Sequence, residues 1–436
     1  MRNPRALIIG GGQSGLVLGA GLLRDGWHVD LFNQGTPEEV LTGPPCVTQL
    51  TFPTTRMTEE KDFGLDQWAT SAEEQADDGA ELFRSIRLTM APDGQEPMSF
   101  TGRLPEPGRI IDHTVKTSEW LQQLKDEGAR LHYKTCTDSD LVGFAATKMH
   151  DLIVVSVGGQ GGLRALFNPD PSRTSGATEK AIVQAHYLNA SPSRNGVDVI
   201  TTPHGEFFIS EVLTKLPKIA RPTRLKDFDP VMATCVQVFA RPGSPLDPRG
   251  NALKNLRHRR TIQDNPHAFD DALRSVLGQY APEVAARLQG AHMLPNSALV
   301  TELVPSTRRP VCTIAGRPII AIGDAPLLID PTSGQGADAS TGSAATLRRQ
   351  LSTLTPGPDG FLPVTEDFLN RTYDMYWDGH GRYTSVFSQM VTDFWSGNLP
   401  PHILEAFGQA ATDQSVADQW VAGFDNPASL DWLLQS

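Results

Sequence analysis

Ala6-Leu7-Ile8-Ile9-Gly10-Gly11-Gly12-Gln13-Ser14-Gly15 is the stretch on which the fold turns. Four apolar residues read as a short strand, and glycines at the spacing GxGxxG follow at once. Leu16, Leu18, Leu22 and Leu23 then recur with helical period, and Val29 to Phe32 reads as a second strand. Strand, turn, helix and strand in this order form the βαβ unit of a dinucleotide fold. Gly10 permits the tight turn, Gly12 removes the side chain that would bar a diphosphate, and Gly15 lets the helix close on the sheet. Gln13 and Ser14 open that helix, where unpaired N–H groups and the helix dipole attract anions.

Such a second strand usually ends in an acidic residue that binds the adenosine ribose. Here Val29-Asp30-Leu31-Phe32 runs into Asn33-Gln34. Asp30 alternates with apolar positions and is expected to point elsewhere, leaving Asn33 as a neutral ribose contact without a charge-assisted bond. A looser hold on the dinucleotide is the consequence.

A second signature lies three hundred residues on. The strand Pro318 to Ile322 ends in Gly323-Asp324, followed by Asp330-Pro331 and by Gly334-Gln335-Gly336, which opens a helix expected to run to about Leu351. Asp324 stands at the carboxyl end of its strand, where ligands of an α/β sheet gather. The helix start at Gly334 to Gly336 suits the pyrimidine end of an anionic reduced flavin. Together the two signatures point to FAD, held by a chain that leaves its nucleotide domain and returns to it.

The remainder fills in around these anchors. Thr117 to Glu127 reads as a helix and Leu152 to Val155 as a strand of the nucleotide sheet, whereas Val197 to Thr201, Glu206 to Ser210 and Val231 to Phe239 read as antiparallel strands. A helix is expected from about Ala268 to Leu288. Beyond residue 364 the chain is helical and rich in aromatics, among them Tyr373, Tyr376, Trp377, Phe387, Phe394 and Trp395, expected chiefly as core. Gly158-Gly159-Gln160-Gly161-Gly162 invites a second nucleotide site, but Arg164 stands where a third glycine is needed and Pro169 cuts the helix, so it reads as a flexible crossover. The fold class is α/β: a Rossmann-like FAD-binding domain with an inserted mixed or antiparallel β-sheet substrate domain and C-terminal helices. Residues 1–45, 102–175 and 300–350 are assigned to the discontinuous FAD-binding domain, and 46–101, 176–299 and 351–436 to the substrate domain.

Composition excludes several classes of function. The 436 residues carry a net charge of -12, which argues against nucleic-acid binding, and Arg257-His258-Arg259-Arg260 reads as a solvated face. No apolar run reaches the ~18 residues of a membrane span. The first strand begins too early to leave room for a signal peptide. Cys46, Cys136, Cys235 and Cys312 are widely spaced, with no CxxC and no neighbouring His, and read as reduced, mostly buried thiols of a cytoplasmic protein without a metal site.

Over essentially its whole length the chain resembles the styrene and indole monooxygenase family, the FAD-using oxygenase halves of two-component systems within the para-hydroxybenzoate-hydroxylase-like flavoproteins. The matching stretches are Thr48-Gln49-Leu50-Thr51-Phe52, Asp112 to Lys116, Asp151 to Gly158, Leu166 to Asp170 with Arg173, and Gly205-Glu206-Phe207-Phe208. Further on they are Arg309-Pro310-Val311, Gly323 to Gly336, Tyr376-Trp377, and Gly423-Phe424 with Asn426-Pro427. The resemblance implies that an NAD(P)H-dependent flavin reductase supplies reduced FAD, that O2 adds to it as a flavin hydroperoxide, and that one oxygen atom passes to a small apolar aromatic or alkene substrate, styrene- or indole-like. It adds Gln49 to the cofactor contacts and implies no obligatory catalytic side chain. Thr48, Phe52, Phe207 and Phe208 are the candidate substrate contacts, and a homodimer is compatible with the family.

Three departures bear on this. Thr114 stands where relatives commonly carry an Arg, Thr42-Gly43-Pro44-Pro45 lacks their polar residues, and Asp338 follows the second motif where amides are frequent. A carboxylate close to an anionic flavin would oppose it, so Asp338 is expected to face away. Two other readings stay open: a single-component NAD(P)H-dependent aromatic hydroxylase, and a non-oxygenating FAD-binding protein. The lack of a WxWxIP stretch argues against a flavin-dependent halogenase.

Overall fold

In the computed structural model, residues 2–68, 82–173, 178–191, 196–219, 222 and 224–434 are described. The apolar strand Arg5–Ile9 is buried almost throughout, as a strand covered on both faces must be. It lies inside a six-stranded sheet ordered Val311–Ile314, Arg317–Ala321, Leu152–Val155, Arg5–Ile9, His28–Asn33, Arg130–Tyr133. All neighbours run parallel except the first pair. The chain therefore enters this sheet at its N-terminus and returns to it with Arg317–Ala321, where Ile320 pairs with Val154.

Helices Gln13–Arg24, His113–Asp126 and Gly336–Leu351 cover one face through Leu16, Leu18, Trp120, Leu124, Ala344 and Leu347. The helix Asp138–Thr147 covers the other through Leu141 and Ala145. Gly336–Leu351 ends where the sequence places it.

The second sheet has nine strands. Its path runs His292–Met293, Lys180–Leu188, Phe228–Ala240, Gly205–Pro217, Val197–Thr202, Leu82–Met90, Met98–Ile111, Gln49–Thr51, and Leu299–Leu303 adds to Lys180–Leu188. Most pairs are antiparallel, but Leu82–Met90 runs parallel to Val197–Thr202. Met98–Ile111 belongs to this sheet, so the domain boundary expected at residue 102 falls inside a strand.

Period-two alternation sorts the side chains of this sheet between two layers. Phe207 and Ile209 pack with Phe269, Leu273 and Leu277 of the helix Pro266–Tyr280. Phe208, Val199 and Phe239 face the opposite layer, built from Phe387, Ile403, Phe407, Trp420 and Phe424 of the C-terminal helices. The structure corrects two expectations. The helix expected to run to Leu288 stops at Tyr280 and resumes at Pro282, because proline has no N–H to continue it. Of the four cysteines expected to be mostly buried, Cys136 and Cys235 are, Cys312 is partly so and Cys46 is exposed. Among the described residues no cluster of three or more His, Cys, Asp or Glu side chains could hold a metal, and no helix is long and apolar enough to cross a membrane.

Candidate functional site

Gly10 has φ 120°, a conformation that suits glycine, and a side chain there would overlap the backbone of Ser156. Gly15 is barred in the same way by the carbonyl oxygen of Gly10. Gly12 differs: nothing of the protein lies within 4 Å of where its Cβ would stand. It faces a cavity of about 840 Å³ lined also by Gly10, Gly11, Phe32, Asn33, His113, Thr114, Lys134, Ser156 and Gly158. The helix Gln13–Arg24 starts there at Gly12 with no side-chain cap, so its first N–H groups are left for a ligand. Bare backbone, open space and a helix start together fit the diphosphate of a dinucleotide.

The end of the strand His28–Asn33 supports this. A Cβ on Gly11 would come 2.8 Å from Asn33 Oδ1, so the Asn33 amide packs against the glycine turn at the cavity wall. Its Nδ2 is committed to Gly35 O at 2.7 Å, leaving the oxygen toward the cleft. Asp30 points elsewhere: burial pulls its carboxyl up, but hydrogen bonds with His150, His132 and Arg5 hold it well below the ordinary carboxylate range.

A second cavity, of about 290 Å³, lies beyond. It is lined by Thr48, Gln49, Leu50, Asp324, Pro331, Gly334 and Gly336 together with Ile182, Phe208, Gln237 and Phe239 of the second sheet. Cys46 and His113 line both cavities. Gly334 turns the chain into the helix Gly336–Leu351 with φ 68°. The strap Cys46–Thr48 is pinned by buried amides of the sheet. Gln184 Oε1 accepts from Thr48 N at 2.7 Å, Gln184 Nε2 donates to Cys46 O at 3.0 Å, and Gln237 Nε2 donates to Thr48 O at 2.9 Å. Thr48 Oγ1 lies 2.9 Å from His186 Nε2, and burial pushes that imidazole down to about 4, so it is neutral. Burial likewise raises Asp324 to about 6.

Several predicted residues stand elsewhere. Gln13 turns its side chain away to Glu60 Oε1 and Thr341 Oγ1, both at 2.9 Å, and Gln335 turns to the carbonyls of Gly423 and Phe424. Ser14 is buried against Gly323; only backbone groups of these residues remain to meet a cofactor. Phe207 does not reach the second cavity, because alternation turns it to the far face of the sheet. Phe52 is wholly buried between Phe83 and Phe424, with ring centroids at 5.5 and 6.0 Å, and lines neither cavity. Of the four substrate candidates, Thr48 and Phe208 face the second cavity.

The sequence reading missed others. Gly158, Gln160, Gly161 and Gly162, expected as a flexible crossover, wall the larger cavity, because Leu152–Val155 pairs directly with Arg5–Ile9 and its end must open beside Gly10. Thr114 is held by Asp112, whose carboxylate also accepts from Thr214 Oγ1 at 2.7 Å, and it bonds Lys215. Asp338 faces away from both cavities into the core, where Phe52 N donates to it at 3.2 Å and burial raises it to about 8. Next to the turn Asp330–Gly334 a small apolar pocket of about 60 Å³ holds Glu206, Thr332, Phe387 and Phe394.

No family model matches the chain. It is similar to the styrene monooxygenase StyA of a Pseudomonas species, 23% identical over 434 residues, covering 96% of this chain and 92% of that protein. Similarity to the StyA of Pseudomonas fluorescens is 22% over 435 residues, with the same coverage. Among solved structures, the flavoprotein/dehydrogenase of Cytophaga hutchinsonii matches with a TM-score of 0.62 at 14% identity, covering 98% of this chain and 93% of that one. A triple mutant of the flavin-dependent brominase Bmp2 matches at 0.60 and 12%, covering 99% and 98%. The tetrameric form of 2-methyl-3-hydroxypyridine-5-carboxylic acid oxygenase matches at 0.55 and 15%, covering 95% and 97%. The whole-length resemblance to styrene monooxygenases and the expected fold class are both borne out.

Proposed function

We propose that this chain is the oxygenating component of a two-component flavin-dependent monooxygenase. It is an oxidoreductase, and FAD is its cofactor. FAD, when bound in its reduced form, supplies the activation of O2; the chain's residues bind it, orient it and keep water away. Backbone N–H groups at Gly12 to Ser14 and the Asn33 amide take the adenosine diphosphate end. Asp324, Pro331, Gly334, Gly336 and Gln49 surround the flavin end. Phe208, Phe239, Ile182 and Leu50 offer an apolar wall to a small aromatic or alkene substrate, styrene- or indole-like. A separate NAD(P)H-dependent reductase delivers the reduced cofactor.

The observation that carries this reading is the pair of adjoining cavities, one bordered by bare Gly12 and the other by the Asp324 to Gly336 turn and an apolar sheet face. The experiment supplies chemically reduced FAD under argon, then 18O2 and styrene or indole, with no nicotinamide present. Product carrying one labelled oxygen supports the proposal. Product formed only when NADPH is added to oxidised FAD indicates a single-component hydroxylase, and FAD binding without any product indicates a non-oxygenating protein.

A further inference from the structure

His113 sits where the two cavities meet. It is the first residue of the helix His113–Asp126, whose N-cap is Asp112, and with Cys46 it forms the lining common to both cavities. Any molecule that extends from the Gly12 backbone to the Pro331–Gly336 turn passes this residue. Among the described residues no protein group hydrogen-bonds to its imidazole, although Asp112 beside it accepts three bonds. The ring therefore offers a donor and an acceptor to whatever occupies the junction.

Its charge state narrows what that is. Burial, with Lys116 one turn along the helix, lowers His113 to about 4 against an opposing pull from Asp112. A helix N-terminus further disfavours an imidazolium. A neutral imidazole brings no charge to a diphosphate, which the uncapped helix start at Gly12 already serves with N–H groups. A neutral imidazole suits hydroxyl groups, which donate and accept in turn. Resting on the reading of the site as an FAD site, we infer that His113 binds the hydroxylated ribityl chain linking the flavin ring to its diphosphate.

Binding of fragments separates this from other roles. FAD contains both ends, riboflavin carries ring and ribityl chain without phosphate, and ADP carries the nucleotide end without ribityl. Affinities for all three are measured by calorimetry on the full chain, alongside melting temperature. His113→Leu is expected to weaken FAD and riboflavin each by about tenfold, one hydrogen bond's worth, and to leave ADP unchanged. His113→Gln, neutral and able to donate and accept, is expected to keep most of the affinity. Loss of ADP and FAD binding with riboflavin spared would place His113 on the diphosphate and overturn the inference, as would equal affinities for wild type and His113→Leu. If wild type binds neither FAD nor ADP, the FAD reading itself falls, and this inference with it.

Discussion

Lys180 and Asp330 form an ion pair of 2.7 Å in which both side chains are fully buried. Asp330 also caps the turn into the second motif, accepting from Thr332 N at 3.0 Å and Thr332 Oγ1 at 2.7 Å. The pair thus ties the strand Lys180–Leu188 to the turn carrying Pro331 and Gly334. Removing one partner strands the other charge, a loss of about 3–5 kcal/mol, whereas neutralising both is far milder. Lys180→Met is expected to lower the unfolding free energy by that amount and to weaken FAD binding. Lys180→Met with Asp330→Asn should recover most of the stability. Denaturant unfolding of the three proteins checks this; equal stability of the single and double variants would dismiss the clamp.

The glycines of the N-terminal motif are expected to divide into two kinds. A methyl at Gly15 meets the Gly10 carbonyl and one at Gly12 meets no protein atom. Gly15→Ala should therefore lower the melting temperature and FAD affinity together. Gly12→Val should leave the melting temperature within about 2 °C of wild type, since it disturbs no packing, and abolish detectable FAD binding. Thermal melts with and without FAD report both, and a Gly12→Val protein that binds FAD normally would remove the diphosphate from that position.

Much of this site was legible in the sequence because glycine spacing after an apolar run constrains backbone and ligand together. The strand Leu152–Val155 and the helix ending at Leu351 were readable from periodicity alone. What escaped was whatever depends on the sheet order. Nothing local in Gly158 to Gly162 shows that its strand lies beside Arg5–Ile9, and nothing local in His113 shows that two cavities meet there. Phe207 and Phe208 are chemically equal in sequence; only pairing of Phe208 with Val199 and Gln237 reveals which one faces the ligand side.

Asp338 makes stability depend on pH. Its carboxyl titrates near 8 in the folded chain, raised mainly by burial, against an ordinary value of 3.8. Between those values the folded state holds a proton that the unfolded state releases, so stability falls as pH rises toward 8. Asp338→Asn removes the titration. Its stability relative to wild type should rise from pH 5 to pH 8 by about 1.4 kcal/mol per pH unit, roughly 4 kcal/mol in all, and level off above that. Urea melts at five pH values test it, and a difference independent of pH would rule out a buried protonated acid.

Phe207 and Phe208 lie on opposite faces of one strand and should answer differently to truncation. Phe208 borders the second cavity and packs edge-on to Phe239, with centroids 5.2 Å apart at 89°. Phe207 is fully buried on the other side, among residues that touch neither cavity. Phe207→Ala is expected to cost about 3–5 kcal/mol, as for a buried aromatic, with the relative rates on small and bulky aromatic substrates unchanged. Phe208→Ala also loses core contacts, but it enlarges the chamber and should shift the ratio of rates toward two-ring substrates by about tenfold, the scale on which pocket shape discriminates. Competition between styrene and a naphthalene-bearing alkene, followed by chromatography, reads that ratio. A shift in Phe207→Ala equal to that in Phe208→Ala would mean that the ligand side of the sheet has been misassigned.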